Sequence, residues 1–224
     1  MRSTIRLAAA PLLVACSLFV GCASPPAALR LHSLLSAEPG GLAGRLPSAR
    51  PAPNTAGRGP VRLTVAPVSV PAALDQPQWL VRRSDGSLQL LEQDRWASPL
   101  ADELRAALRE GLAERWGVVE GGVPAPTPPP LAWRLVVDLQ RLDTNPGRES
   151  LLQARWTLLP PQRDQAPLSC SFRVREPVQT LDTLALADAH RLAVQRLADD
   201  IGAQLARWEA GDRSRQCSGP PTAS

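Results

Sequence analysis

Apolar positions along this chain repeat with two periods. Leu63, Val65, Val68 and Val70 form an apolar, β-branched run, and Pro67 and Pro71, which cannot donate to a ladder, confine that strand to a sheet edge or end it. Asp85-Gly86 stands between the runs Trp79-Leu80-Val81 and Leu88-Gln89-Leu90-Leu91, a tight-turn signal that joins antiparallel strands. The period then changes. Leu100, Leu104, Leu108 and Leu112 recur every four residues with Ala101 and Ala107 beside them, which predicts an amphipathic helix stopped at Gly117. Its start is well marked: Ser98 can cap, Pro99 sits where a missing N–H costs nothing, and Asp102 and Glu103 face the positive end of the helix dipole.

The second half follows the same logic. Val118-Val119 opens a short strand, and 131–142 presents Leu135, Val137 and Leu139 on one face. Asn145-Pro146-Gly147 makes a turn, and 150–159 pairs back with Leu152, Ala154, Trp156 and Leu158 aligned, an antiparallel hairpin. Cys170, Phe172 and Val174 are the alternating face of a last strand over 169–175. Leu186, His190, Ala193, Leu197, Ile201, Leu205 and Trp208 then step by threes and fours through a closing helix over 183–208. A first strand is expected within 27–35, around Leu29, Leu31, Leu34 and Leu35. Helices separated by strand pairs predict one α/β domain with a mixed sheet.

Three stretches hold no period. Residues 38–60 are rich in Gly, Pro, Ala and Ser, too poor in apolar surface to offset ordering entropy, and read as an insertion loop. Residues 121–130 are a second proline-rich break, and 211–224 a polar tail. The folded domain is therefore expected over 29–210, interrupted at about 38–60.

The N-terminus decides the compartment. Arg2 and Arg6 precede an apolar stretch from Leu7 to Val20 that is short and broken by Pro11, a secretory signal rather than a membrane span. It ends in Leu18-Phe19-Val20-Gly21-Cys22, which resembles the bacterial lipobox, small residues before a cysteine whose sulfur takes a diacylglycerol. Residues 1–21 are then the signal, Cys22 the lipidated N-terminus and 22–28 a tether. Leu13-Val14-Ala15-Cys16 also fits the pattern, but cleavage there leaves an apolar stub from Ser17 to Val20. Neither Ser17 nor Ala23 is the aspartate that retains lipoproteins in the inner membrane, so the outer membrane, on its periplasmic face, is the expected destination.

Composition narrows the function. The 224 residues carry a formal charge of +4, and all 25 basic residues are arginine. That charge is small and evenly spread, with no RNP-like, zinc-finger or basic-helix pattern, which argues against nucleic acid as a partner. No Gly-x-Ser-x-Gly elbow and no phosphate-cradling glycine loop is present. The carboxylate pairs Asp102-Glu103 and Asp199-Asp200 fall on polar helix faces and read as solvated surface, so no catalytic residue is assigned. His32 reads as a half-exposed strand residue and His190 as a histidine at the core edge. Two cysteines and two scattered histidines lack metal-ligand spacing, and neither metal nor cofactor is expected beyond the covalent lipid on Cys22. In an oxidising compartment Cys170 and Cys217 either form a disulfide or stay a buried thiol and a free tail thiol; spacing leaves both open.

Two clusters carry a resemblance. Leu74-Asp75-x-Pro77-Gln78 with Arg82 following, and then Arg95-Trp96-Ala97-x-Pro99-Leu100, resemble the PqiC-type family of ABC-type transport auxiliary lipoproteins, over roughly residues 61–208. The resemblance implies a three-layer α/β fold with a mixed sheet flanked by helices, similar to the N-terminal domain of TolB-type proteins. It further implies an MCE-type periplasmic protein as partner in intermembrane lipid transport, and a homo-oligomeric ring matching a multimeric partner. Trp79, Arg82, Arg95 and Trp96 belong to or adjoin the matched clusters, and arginine and tryptophan are enriched at binding hot spots. They are the candidate interface, against a reading in which Trp96 packs the helix start on the sheet and Arg95 pairs locally with Glu92 or Asp94. A lipid-binding carrier and a structural lipoprotein without a transport role are the alternative functions.

Overall fold

The computed structural model describes residues 28–35, 61–120, 132–162, 164–212 and 217. Cys16, Cys22 and the segment 38–60 lie outside the described residues. Eight strands form one open mixed sheet: β1 (Arg30–His32), β2 (Arg62–Val65), β3 (Gln78–Arg82), β4 (Leu88–Trp96), β5 (Val119–Glu120), β6 (Trp133–Asn145), β7 (Glu149–Leu159) and β8 (Leu168–Pro177). Two α-helices accompany them, α1 (Leu100–Trp116) and α2 (Thr183–Glu209).

Strand β6 is the spine. Along one side it pairs antiparallel with β7, which pairs in turn with β8. Its other side is shared: β2 lies parallel to its first half and leads to β5, while β3 meets it at Thr144 and leads outward through β4 to the edge strand β1. Trp133, Leu135, Val137 and Leu139 of β6, Leu152, Ala154, Trp156 and Leu158 of β7, and Cys170, Phe172 and Val174 of β8 are buried on one face, as their alternation predicts. Both helices pack on that face and against each other, so the described residues form a sheet layer and a helix layer. The α/β class, the mixed sheet and the flanking helices follow the sequence reading; among the described residues the second sheet face carries no helix.

The helices approach closely because glycines face the contact. A Cβ added to Gly202 would lie 2.4 Å from the Trp116 ring, and one on Gly111 3.1 Å from the Ala198 Cβ. Helix α1 starts differently from its sequence signature. Pro99 is the N-cap residue and Ser98 caps no backbone N–H; its hydroxyl donates to the Glu103 carboxylate at 2.8 Å. Glu103 turns inward, and a Ser98 hydroxyl that satisfies it is unavailable to the helix end. Gly117, at φ +62°, closes α1 as expected. Strand β2 ends at Val65, and beyond it the chain follows β6 through the Ala66 N–H to Leu135 bond and an isolated bridge between Ser69 and Asp138, because Pro67 and Pro71 have no N–H with which to extend the ladder.

Cys170 and Cys217 are joined in a disulfide that ties the tail to β8. Thiol titration of the mature chain, unfolded without reductant, is expected to find no free thiol at either position. Two free thiols would remove the bridge.

Candidate docking surface

Both sequence clusters come together at the β1–β4–β3 end of the sheet. Leu74 closes a 3₁₀ turn over Ala72–Leu74, Pro77 accepts a hydrogen bond from the Trp96 backbone N–H at 2.8 Å, and Gln78 pairs with Arg95. One step further along, Trp79 pairs with Leu91, so Glu92, Gln93 and Asp94 have no counterparts on β3. This bulge switches the alternation of β4. Before it the even positions, Leu88 and Leu90, point away from the helices; after it Asp94 and Trp96 point toward them.

The helix side of this end is an aromatic and polar core. Trp79 is 1% exposed and sits 4.3 Å from the His32 ring, 4.8 Å from Trp96 and 5.4 Å from His190, centroid to centroid. Trp96 is buried as well. Of the four candidate interface residues the structure thus places Trp79 and Trp96 inside, because the bulge and the pairing turn both rings toward α2. Arg82 and Arg95 remain on the uncovered face. Arg82 reaches Asp143 at 3.5 Å and donates to the Gly86 carbonyl, while Arg95 pairs with neither Glu92 nor Asp94, and its Nε has no partner among the described residues.

His32 is a correction. It is buried, not half-exposed, and its Nε2 lies 2.8 Å from Asp94. Asp94 also accepts from Arg30 at 2.8 and 2.6 Å. Burial pushes the Asp94 carboxyl up, but the hydrogen bonds and charges of Arg30 and His32 outweigh it and hold the group below the usual carboxylate range. Asp102-Glu103 is the second correction. Glu103 is buried and accepts from the Ser33 hydroxyl at 2.7 Å and the Leu34 N–H at 2.8 Å besides Ser98. Two buried carboxylates therefore hold the first strand, and Arg191 adds a bond from α2 to the Ser33 carbonyl at 3.0 Å.

His190 lies deeper than the core edge, at 0% exposure. Its ring bridges β6 and β7, with Nδ1 2.6 Å from the Ser150 hydroxyl and Nε2 2.9 Å from that of Thr144. A serine touching a histidine is the start of a nucleophile arrangement. Here Ser150 is itself 0% exposed and a threonine stands where an orienting carboxylate would be, so no substrate reaches the pair. Burial, with the nearby Arg191 and His32 charges, pushes His190 down to about 3 and keeps it neutral.

Asp199-Asp200 is likewise not solvated surface. Asp199 accepts from Arg115 at 2.6 Å and Trp116 at 3.2 Å, pinning α1 to α2, and Asp200 accepts from the Trp156 indole N–H at 3.0 Å. Burial pushes Asp200 up to about 6, against the pull of the Trp156 N–H and the Arg207 charge. The folded form therefore keeps a proton that the unfolded chain releases near its ordinary 3.8, and this contribution to stability is lost as pH rises from about 4 through about 6. His190 works in the opposite sense, its contribution being lost as pH falls below 6.5. Asp200→Asn keeps an acceptor for Trp156 but removes the titration. Urea denaturation across this range is expected to show the variant gaining about 2 kcal/mol on wild type between pH 4 and 7; parallel curves would contradict it.

Among the described residues no group of three potential ligands could hold a metal ion, and no helix is long and apolar enough to cross a membrane. The architecture is an open mixed sheet with the two described α-helices on one face, and buried carboxylates at this end hold its first strand. The comparisons give it a lineage. The chain belongs to the family of ABC-type transport auxiliary lipoprotein components, whose model matches residues 45–202. A solved uncharacterized protein is 18% identical with a TM-score of 0.57, covering 70% of this chain and 95% of that one. A Xanthomonas campestris protein of the DUF330 family is 24% identical with a TM-score of 0.55, covering 72% of this chain and 94% of its own. Both share the fold. A minor lipoprotein from Acinetobacter baumannii aligns over 66% of this chain and 94% of its own, at 16% identity and a TM-score of 0.34. No curated protein matches the chain.

Proposed function

We propose that this lipoprotein is the outer-membrane-anchored auxiliary subunit of an MCE-type intermembrane lipid transport system. The observation that carries the reading is family membership across 45–202, on a chain whose first residues have the form of a lipoprotein signal. Lipid on Cys22 fixes position, residues 22–28 set the reach, and the folded domain docks the periplasmic MCE protein. Ala23 after the lipidated cysteine, in place of a retaining aspartate, supports the outer membrane as destination. A ring of copies facing a multimeric partner belongs to the same reading. An anchor of several acyl chains, each buried methylene adding about 0.8 kcal/mol, does not leave its membrane unaided.

A lipid carrier is the second reading, and one observation favours it. A groove of about 380 Å³ lies between α1 and the β2–β5 strands, lined by Leu63, Val65, Leu112 and Val118 with Arg109 and Glu120 at its polar side. Affinity capture of the tagged, membrane-extracted protein separates the two. An MCE-domain protein in the eluate is the expected result; phospholipid with no protein partner would give precedence to the carrier.

A further inference from the structure

The sheet face without helices carries a row of exposed apolar side chains at the end where the tether enters. Leu29, Leu31, Leu88 and Leu90 are 52%, 63%, 52% and 41% exposed. The pairing puts three of them on one surface: Leu31 stands opposite Arg95, Leu90 opposite the half-buried Leu80, and Leu88 opposite Arg82. Strand β1 is a sheet edge, so nothing in the sheet lies beyond it. Soluble proteins seldom leave leucines grouped in this way unless something covers them.

We infer that this face, with Leu31, Leu88 and Leu90 as its apolar contacts and Arg82 and Arg95 as its cations, lies on the phospholipid surface that holds the chain's own anchor. Two observations choose lipid over a protein partner. The first is reach. Six residues lie between Cys22 and Leu29, and the seven steps, fully extended, span no more than about 25 Å. From β1 to the Leu88 end of β4 the face itself measures about 20 Å at strand rise, so the anchor brings all of it within range of the bilayer. The second is charge. Arg95 stands opposite Leu31, and its buried Nε has no partner among the described residues; Arg82 stands opposite Leu88 and reaches Asp143 at 3.5 Å, a carboxylate that Arg141 also engages. Glu92 is the exposed carboxylate on this stretch of β4. Leucines interleaved with arginines suit the headgroup and acyl boundary, where apolar side chains enter and guanidinium groups meet phosphate.

The bulge is what creates the face. Because it reverses the alternation of β4, the same strand sends Asp94 and Trp96 inward to hold β1 while Leu88 and Leu90 point outward. The orientation that follows leaves the helix layer and the β2–β5 groove turned toward the periplasm.

The inference rests on lipid attachment at Cys22, and intact mass of the mature protein tests that attachment separately. With Cys22 lipidated and Cys170 bridged to Cys217, a thiol-reactive fluorophore goes only to a newly introduced cysteine. Leu31→Cys, Leu88→Cys and Leu90→Cys, each labelled, are reconstituted in vesicles of phosphatidylethanolamine and phosphatidylglycerol containing a lipid brominated in the upper acyl chain. Glu114→Cys, on the exposed side of α1, is the reference. Quenching at all three sites with none at Glu114 is the expected result, and replacing Arg82 and Arg95 by glutamine should lower the docked-to-undocked ratio about fivefold per arginine. In lipid-bearing protein, equal quenching at Leu88, Leu90 and Glu114 would overturn it. So would crosslinking of these positions between copies in detergent, which would make the face a contact between protomers, or their selective protection by a captured protein partner.

Discussion

Trp79→Ala is expected to cost about 3–5 kcal/mol, the range for deleting a fully buried large aromatic. The ring is 1% exposed and touches His32, Trp96 and His190, so its removal opens a cavity where β1, β3, β4 and α2 meet. Against a total stability that for a domain of this size runs to about 5–15 kcal/mol, such a loss approaches unfolding. Arg82→Ala provides the contrast. Its contact with Asp143 is 3.5 Å long and partly exposed, and pairs of that kind contribute about 0–1 kcal/mol. Denaturant titration of the two variants tests the placement directly. A Trp79→Ala protein as stable as wild type, with partner capture lost, would return the tryptophan to an interface; the expected outcome is a collapsed midpoint for Trp79 and an unchanged one for Arg82.

Glu103→Ala is expected to cost about 3 kcal/mol, and chiefly to free the first strand. The carboxylate accepts three hydrogen bonds, from Ser33, Leu34 and Ser98. Bonds to a charged group each contribute about 1.5–3 kcal/mol, and alanine leaves the buried Leu34 N–H with no acceptor. Ordering β1 depends on few contacts: three residues pair with β4 on one side, Asp94 and Arg191 add polar ties, and His32 on Trp79 with the buried Leu34 supplies the packing. Hydrogen exchange should show the β1 amides opening roughly 100-fold more often while those of β6 and β7 stay protected. Glu103→Gln keeps an acceptor oxygen and is expected to fall between the two. Uniform acceleration across the sheet would mean that Glu103 supports the whole fold instead.

Much of the architecture was legible because it is local. The four-residue repeat of Leu100 to Leu112, the turn at Asp85-Gly86 and the alternation of Cys170, Phe172 and Val174 each express a geometry that neighbouring residues impose on one another. Even the buried stripe of α2, from Leu186 to Trp208, can be read from spacing alone. The family clusters were legible too, since they are short and close together in the chain, although the reason they occur together was not: Pro77 and Gln78 are ladder partners of Trp96 and Arg95.

The site was harder to read, for a physical reason. Asp94, Glu103, Thr144 and Ser150 look like surface residues in sequence, where a polar residue has no sign that a partner awaits it. Asp94 meets His32 from 62 positions away and Glu103 meets Leu34 from 69. No window of the chain contains both members of either pair. The β4 bulge hides in the same way, because its three extra residues are defined only by what stands opposite on β3. The sequence by itself therefore determined the helices, the main strands, their order and the buried stripes that run along them. Tertiary pairing alone decided that Trp79 and Trp96 lie inside, that His32 is held by a buried carboxylate, and that a leucine and arginine face is left exposed beside β1, since each depends on which side of a strand faces the helices.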